Sequence, residues 1–479
     1  PFYQKRGPKM SSLTDLSISQ LVLGYQAKDF SPIEVTKAYF DRIEKYNENL
    51  NAFVYIDREG GLASAKLAED KYNKGDFKPL LGVPLAHKDL YCTKGLPSTA
   101  GSKVLENNIP DVDATSVERL SQSGAINLGK LNTHEFAYGP TNENSLFGSC
   151  LNPWNYKCFS GGSSGGSGSA VAARLCAGAT GSDTGGSIRI PSACCGISGL
   201  KPTYGRVSRA GIYPLCWTMD HSGPMARSVE DLALMLKAMS GVDKFDSASS
   251  SLEVGNYAET LRADISGIVL GIPNRYFFDQ AQPDIENSVR EAIEVLKSLG
   301  ATVIDIDIEH IEHAAGAALA IYLSEGTAYH DNGFENNQDL YSDQVRGFLE
   351  LGNFVLAKDY INAQRFRTLL GEEMARLFEQ VDYFITPGLA LTAQQVGQEN
   401  INIRGIEQSV FSAILRNTEP FNLTGVPALV VPCGFSSEGL PHSMQIIGRP
   451  FDEAGILNIG HIFQSVTSWH IKLPSEVNE

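Results

Sequence analysis

The sequence predicts an α/β fold: a single domain with a mixed central β-sheet flanked by helices. Three observations carry this. Short apolar, β-branched runs alternate with helical patterns along most of the chain, the signature of strands and helices packed in layers. One stretch reads as a complete strand–helix–strand unit: Ile268 to Ile272, the amphipathic Ile285 to Leu299, then Thr302 to Ile306. The chain has 479 residues, 42% of them hydrophobic, which is enough to bury a sizeable core.

The elements follow in order. Ser31-Pro32-Ile33-Glu34 announces a helix: Ser31 caps, Pro32 suits the first helical position and Glu34 closes a capping box. Val35, Tyr39, Ile43 and Tyr46 fall on its inner face, and it should end near Asn47 to Asn51. A short strand is expected at Asn51 to Ile56 and a helix at Ala63 to Tyr72. The apolar run Leu81 to Asp89 ends in charge, as a strand would that delivers Lys88 to its exit. A helix at Ser116 to Leu120 and a strand at Ile126 to Leu128 come next, and then Ser160 to Arg209, dense in Gly and Ser, with a helix at Ala170 to Leu175. Phe384 to Pro387 and Ala428 to Pro432 read as buried strands and Glu453 to Val466 as a closing helix. A softer boundary is expected at Val242 to Tyr257, rich in Ser, Asp and Lys. Residues 1–10 lack an apolar signal segment and read as an appended or disordered lead, with Met10 the native start.

Charge narrows the function classes. The net charge of −16 argues against nucleic acid as a partner, because phosphate affinity comes from Lys and Arg. No apolar run approaches a membrane span. Eight cysteines without a CxxC pair indicate neither a disulfide framework nor a zinc site, and suit reduced thiols in the cytoplasm.

The chemistry concentrates in two segments, Gly161-Gly162-Ser163-Ser164-Gly165-Gly166-Ser167 and Gly181-Ser182-Asp183-Thr184-Gly185-Gly186-Ser187-Ile188-Arg189. Glycine lets backbone N–H groups approach a ligand closely. Thr184 to Ser187 can thus aim several amides at one oxyanion beside the Ser187 hydroxyl, which acyl transfer requires. A serine needs a base. Lys88 is the candidate, provided burial beside an apolar strand favours its neutral amine. Ser163 is suited to relay a proton between them. Neither loop fits a phosphate-binding motif, since no Lys follows the glycines. His87 is the competing base, yet strand neighbours point to opposite faces, so only one of the pair reaches the site. His134-Glu135 lacks a second ligand pair at metal spacing, so a structural role is expected.

These two segments, together with Leu80 to Pro84, Lys88-Asp89 and Gly199 to Val207, resemble the amidase signature family, over about Ser31 to Phe451. The resemblance implies one amidase domain over 11–479 with a core signature region at 80–230. It implies a Ser–cis-Ser–Lys triad of Ser187, Ser163 and Lys88, with a cis peptide at Gly162–Ser163. The amides of Thr184, Gly185, Gly186 and Ser187 would form the oxyanion hole, and Asp183 and Arg189 would pair to brace that loop. No cofactor and no metal are implied.

Within the family, His134 to Gly139, Glu143-Asn144-Ser145 and Lys201 to Ser208 are similar to the glutaminase subunit of glutamyl-tRNA amidotransferase. That glutaminase recognises glutamine with an arginine and an aspartate. A gapless reading back from Pro420 sets Leu415 at the aspartate, and Phe348 meets the arginine, with Arg346 close by as the alternative. With Tyr138, these residues predict a pocket for an uncharged, hydrophobic acyl group. The expected activity is hydrolysis of a small-molecule carboxylic amide to the acid plus ammonia or amine through an acyl-Ser187 intermediate. The alternatives are the amidotransferase glutaminase, which would need partner subunits, and a catalytically silent scaffold. A homodimer is left open.

Overall fold

The computed structural model describes residues 12–144, 146–261 and 264–478. The reading of residues 1–10 lies outside the described residues, as does Ser145 of the motif quoted above.

An 11-stranded mixed sheet forms the centre. Its strands are β1 (Phe53–Ile56), β2 (Pro84–Lys88), β3 (Ile126–Leu131), β4 (Gly178–Asp183), β5 (Ser198–Lys201), β6 (His221–Ala226), β7 (Val269–Pro273), β8 (Thr302–Ile306), β9 (Tyr383–Pro387), β10 (Ala428–Phe435) and β11 (Pro441–Ile447). They lie in the order β1-β3-β2-β4-β6-β5-β10-β11-β9-β7-β8. β2 runs parallel to both β3 and β4, and β7 parallel to β8 and β9. The middle of the sheet, from β4 through β6, β5 and β10 to β11, is antiparallel. All residues of β2, β4, β5 and β6 are buried, as strands covered on both faces must be.

Helices cover this sheet for reasons visible locally. Pro32–Leu50 starts at the expected capping box, with the Glu34 amide donating to Ser31 Oγ at 3.2 Å and the Ser31 amide to Glu34 Oε2 at 2.8 Å. It ends where Asn51 turns left-handed at φ 51°, and it buries Val35, Tyr39, Phe40, Ile43 and Tyr46. Each such side chain contributes about 1.5–3 kcal/mol by leaving water. Thr302–Ile306 and Glu453–Val466 fall where the sequence predicts.

Two expectations need correction. The helix expected at Ala170 to Leu175 is Gly165–Ala172, which begins inside the glycine run. Glycines there permit a contact that larger residues forbid: a Cβ on Gly166 would strike the Asn132 backbone. The segment Val242 to Tyr257 divides nothing, because β10, from far beyond it, pairs with β5, from before it. It is a loop pinned to the preceding chain by Arg209–Asp246 at 2.8 Å and by Ser208 Oγ donating to Asp243 at 2.5 Å.

Candidate active site

The site forms where the exits of two neighbouring parallel strands meet two loops. β2 ends on Lys88, and β4 beside it leads through Ser182 and Asp183 into the turn at residues 184–187. Lys88 is completely buried. Its Nζ donates to Ser163 Oγ at 2.7 Å and to Ser182 Oγ at 2.8 Å. Burial lowers its pKa to about 7, even though the nearby charges of Asp183 and Asp220 pull it upward. The amine is thus poised to take up a proton near neutrality, as a general base must be.

The peptide between Gly162 and Ser163 is cis. The Ser163 carbonyl accepts from the His134 amide at 3.0 Å and from Thr133 Oγ1 at 3.1 Å, which fixes the orientation of the loop. The two Gly/Ser loops touch: the Ser164 amide donates to the Ser187 carbonyl at 3.3 Å, and Ser164 Oγ to the Ser182 carbonyl at 3.2 Å.

Ser187 borders an open cavity. Among the described residues, the amides of Gly185, Gly186 and Ser187 donate to no protein acceptor, so they remain free for a ligand oxygen. Gly186 makes the turn feasible, with φ at +140° and no room for a Cβ against Thr418 Oγ1.

The turn is held from behind by an ion pair with no solvent contact. Arg189 Nε lies 3.0 Å from Asp183 Oδ2, and its Nη2 lies 2.9 Å from Asp183 Oδ1. Asp183 Oδ2 also accepts from the Ile188 amide at 3.1 Å. Burial pushes the Asp183 carboxyl up, but the Arg189 guanidinium and its hydrogen bonds outweigh that and hold it well below the usual carboxylate range. Arg189 also donates to the Thr418 carbonyl at 2.9 Å and to Gln445 Oε1 at 2.8 Å, so the brace spans the sheet.

The other sequence candidates divide clearly. His87 is buried, and its Nδ1 lies 3.5 Å from Thr180 Oγ1 with no hydrogen bond to either serine among the described residues; burial, with Lys130 nearby, lowers its pKa to about 3. His134 Nε2 pairs with Gln344 at 3.0 Å, and Glu135 accepts from Ser102 Oγ at 2.6 Å and the Ser342 amide at 2.9 Å, so both tie elements together. Tyr138, Phe348 and Leu415 all border the cavity beside Ser187, which holds about 260 Å³. Arg346 does not border it and instead pairs with Asp343 on its own helix at 2.7 Å.

Sequence reasoning missed Ser182, although it stands two residues from Thr180 in β4 and the Lys88 amide donates to Thr180 Oγ1 at 3.2 Å. The register sets Thr180 opposite His87 rather than Lys88, so strand alternation did not mark Ser182 as a partner of Lys88. It also missed Asp220, whose Oδ1 accepts from Thr184 Oγ1 at 2.6 Å, and the cavity walls Tyr322, Phe411 and Glu419. No local pattern marked these.

Comparison with known proteins agrees with this geometry. The Amidase family model matches residues 34–457. From Geobacter metallireducens, the A-type subunit of glutamyl-tRNA(Gln) amidotransferase is 38% identical over 483 residues, covering 96% of this chain and 98% of that protein. A structure described as a vestigial protein complex revealing the origins of an s-triazine catabolic enzyme superimposes with a TM-score of 0.92 at 32% identity, over 95% of this chain and 100% of that one. A bacterial aryl acylamidase of the amidase signature family does so with a TM-score of 0.88 at 26% identity, over 97% and 99%. A match across most of the chain, on a scaffold shared with solved amidases, makes this protein a member of the amidase signature family, an enzyme acting on amide C–N bonds.

Proposed function

We propose that the chain, as one amidase domain over 11–479, hydrolyses small-molecule carboxylic amides whose acyl group is uncharged and largely apolar. Ser187 attacks the amide carbonyl while its proton passes through Ser163 to neutral Lys88. The oxyanion is held by the amides of Thr184, Gly185, Gly186 and Ser187. The same relay then protonates the departing ammonia or amine, and water releases the acid from acyl-Ser187.

The observation that carries the substrate class is the cavity wall. Tyr138, Phe348, Phe411, Leu319 and Leu415 contribute large apolar side chains to it, and no Lys, Arg or His is among the lining residues. Glutamine would bring its α-carboxylate out of water with no cationic partner, at a cost of several kcal/mol. A second reading, the glutaminase of an amidotransferase working with partner subunits, is supported by the identity to the Geobacter protein. A cytoplasmic location is supported by eight cysteines without a disulfide and by the lack, among the described residues, of any helix long and apolar enough to cross a membrane.

The test is a panel of amides, glutamine included, given to the purified chain. Aryl or alkyl primary amides should have the higher kcat/KM. Glutamine as best substrate, or turnover only with a partner protein present, favours the second reading.

A further inference from the structure

Glu419 opens the short helix Glu419–Leu423 and lines the same cavity as Ser187. It is only 5% exposed. Every other lining side chain is aromatic, aliphatic or a hydroxyl, so this is the one carboxyl among the described residues facing an apolar chamber. Among the described residues no ion pair includes it, because the guanidinium that acts on it, Arg189, is committed to Asp183. Tyr322 lines the same cavity, and its hydroxyl favours the charged form of Glu419. That hydroxyl donates to the Thr184 carbonyl at 3.4 Å, which ties Tyr322 to the turn that carries Ser187.

A carboxyl buried without a cation is more stable neutral than charged. Burial accordingly raises the Glu419 pKa to about 8, against the lowering contributions of Tyr322 and Arg189. A neutral carboxylic acid has one O–H donor and an acceptor oxygen. Glu419 lines the cavity, so these groups are available to a ligand held there. The cavity's volume of about 260 Å³ exceeds the roughly 150 Å³ that admits a benzene ring, which leaves space for a ring bearing one substituent.

Building on the amide-hydrolysis reading above, we propose that Glu419 is a specificity-determining residue: it hydrogen-bonds an uncharged polar substituent, such as a carboxamide or hydroxyl, on an otherwise apolar acyl group. Anionic acyl groups are turned away, because they would desolvate beside this carboxyl and meet no cation.

The test compares benzamide with 4-hydroxybenzamide, terephthalamide, 4-carboxybenzamide and 4-(aminomethyl)benzamide, in the native chain and in Glu419→Gln and Glu419→Leu. The native enzyme should favour the hydroxyl and carboxamide compounds over benzamide by roughly tenfold or more in kcat/KM. Glu419→Gln, which keeps a neutral donor and acceptor, should retain most of that ratio, and Glu419→Leu should bring it to about one. Calorimetric binding of the same five compounds to Ser187→Ala gives the ratio without turnover. Selective binding there combined with no hydrolysis by the native chain would sink the hydrolase reading and leave the role of Glu419 standing. Three results overturn the proposal: an unchanged ratio in Glu419→Leu, no selective binding of the neutral polar compounds, or an aminomethyl preference that Glu419→Gln abolishes. The last would make Glu419 an ionised partner for cations.

Discussion

Lys88 Nζ stands 2.7 Å from Ser163 Oγ, and the other neighbour within 3 Å is again a hydroxyl, that of Ser182. Neither is a carboxylate. A buried ammonium between two hydroxyls gains too little to repay its lost hydration, so the amine is driven toward neutrality. In the proposed mechanism that neutral form accepts a hydrogen bond from Ser163, so that Ser163 Oγ can take the proton of Ser187.

Lys88→Met keeps much of the side-chain volume and removes the base. Labelling of Ser187 by a fluorophosphonate probe should slow by roughly 10²–10⁴. His87→Ala should stay within a few-fold of the native labelling rate, once corrected for folded fraction. Fast labelling in the lysine variant with slow labelling in the histidine variant would transfer the role to His87.

The pH profile should follow the titration of Lys88. Only the amine without its extra proton can act as base, so kcat/KM should rise with pH through about 7 and level off above it. Asp220 helps to hold the proton on Lys88. Asp220→Asn should therefore move the rising limb to lower pH, and a shift upward would contradict the assignment.

Arg189→Met tests the brace. It strands Asp183 as an uncompensated buried carboxylate, and unfolding by urea should show a loss of about 3–5 kcal/mol. In the native chain the Asp183 pKa is depressed, so its contribution is present above its unfolded pKa of about 3.9 and is lost as pH falls below that. In the variant the guanidinium is gone and burial is opposed by Lys201 and by hydrogen bonds from Asn422 and the Ile188 amide, so the Asp183 pKa should rise and the acid-side loss of stability should weaken.

Leu415→Asp places a carboxylate in the apolar wall beside Ser187. The kcat/KM for an aryl amide should fall roughly 10- to 100-fold, chiefly through KM, because the ring would have to desolvate that charge. An unchanged KM for benzamide would remove Leu415 from the substrate's surroundings.

Much of this was legible in the sequence because the governing physics is local. The capping box at Ser31 and Glu34, the strand–helix–strand unit ending at Ile306 and the helix Glu453–Val466 depend on periodicity and end signals within a dozen residues. Composition also pointed to Ser163, Ser187 and Lys88 as candidates, with glycine where backbone can approach a ligand and lysine at the end of an apolar strand, and the structure sets Lys88 against Ser163, with Ser187 on the cavity. What the chain could not display is which distant segments share a wall. Tyr322, Phe348, Phe411 and Glu419 come from four separate helical or turn segments and meet Ser187 only because the sheet interleaves early and late strands. The fate of Arg346 was likewise decided in three dimensions, where its helix turns it toward Asp343 and sets Phe348 against the cavity. The pKa of Lys88 belongs to the same class. A lysine titrates near 10 wherever water reaches it, and only packing from β2, β4 and the two glycine loops removes that water and brings it to about 7.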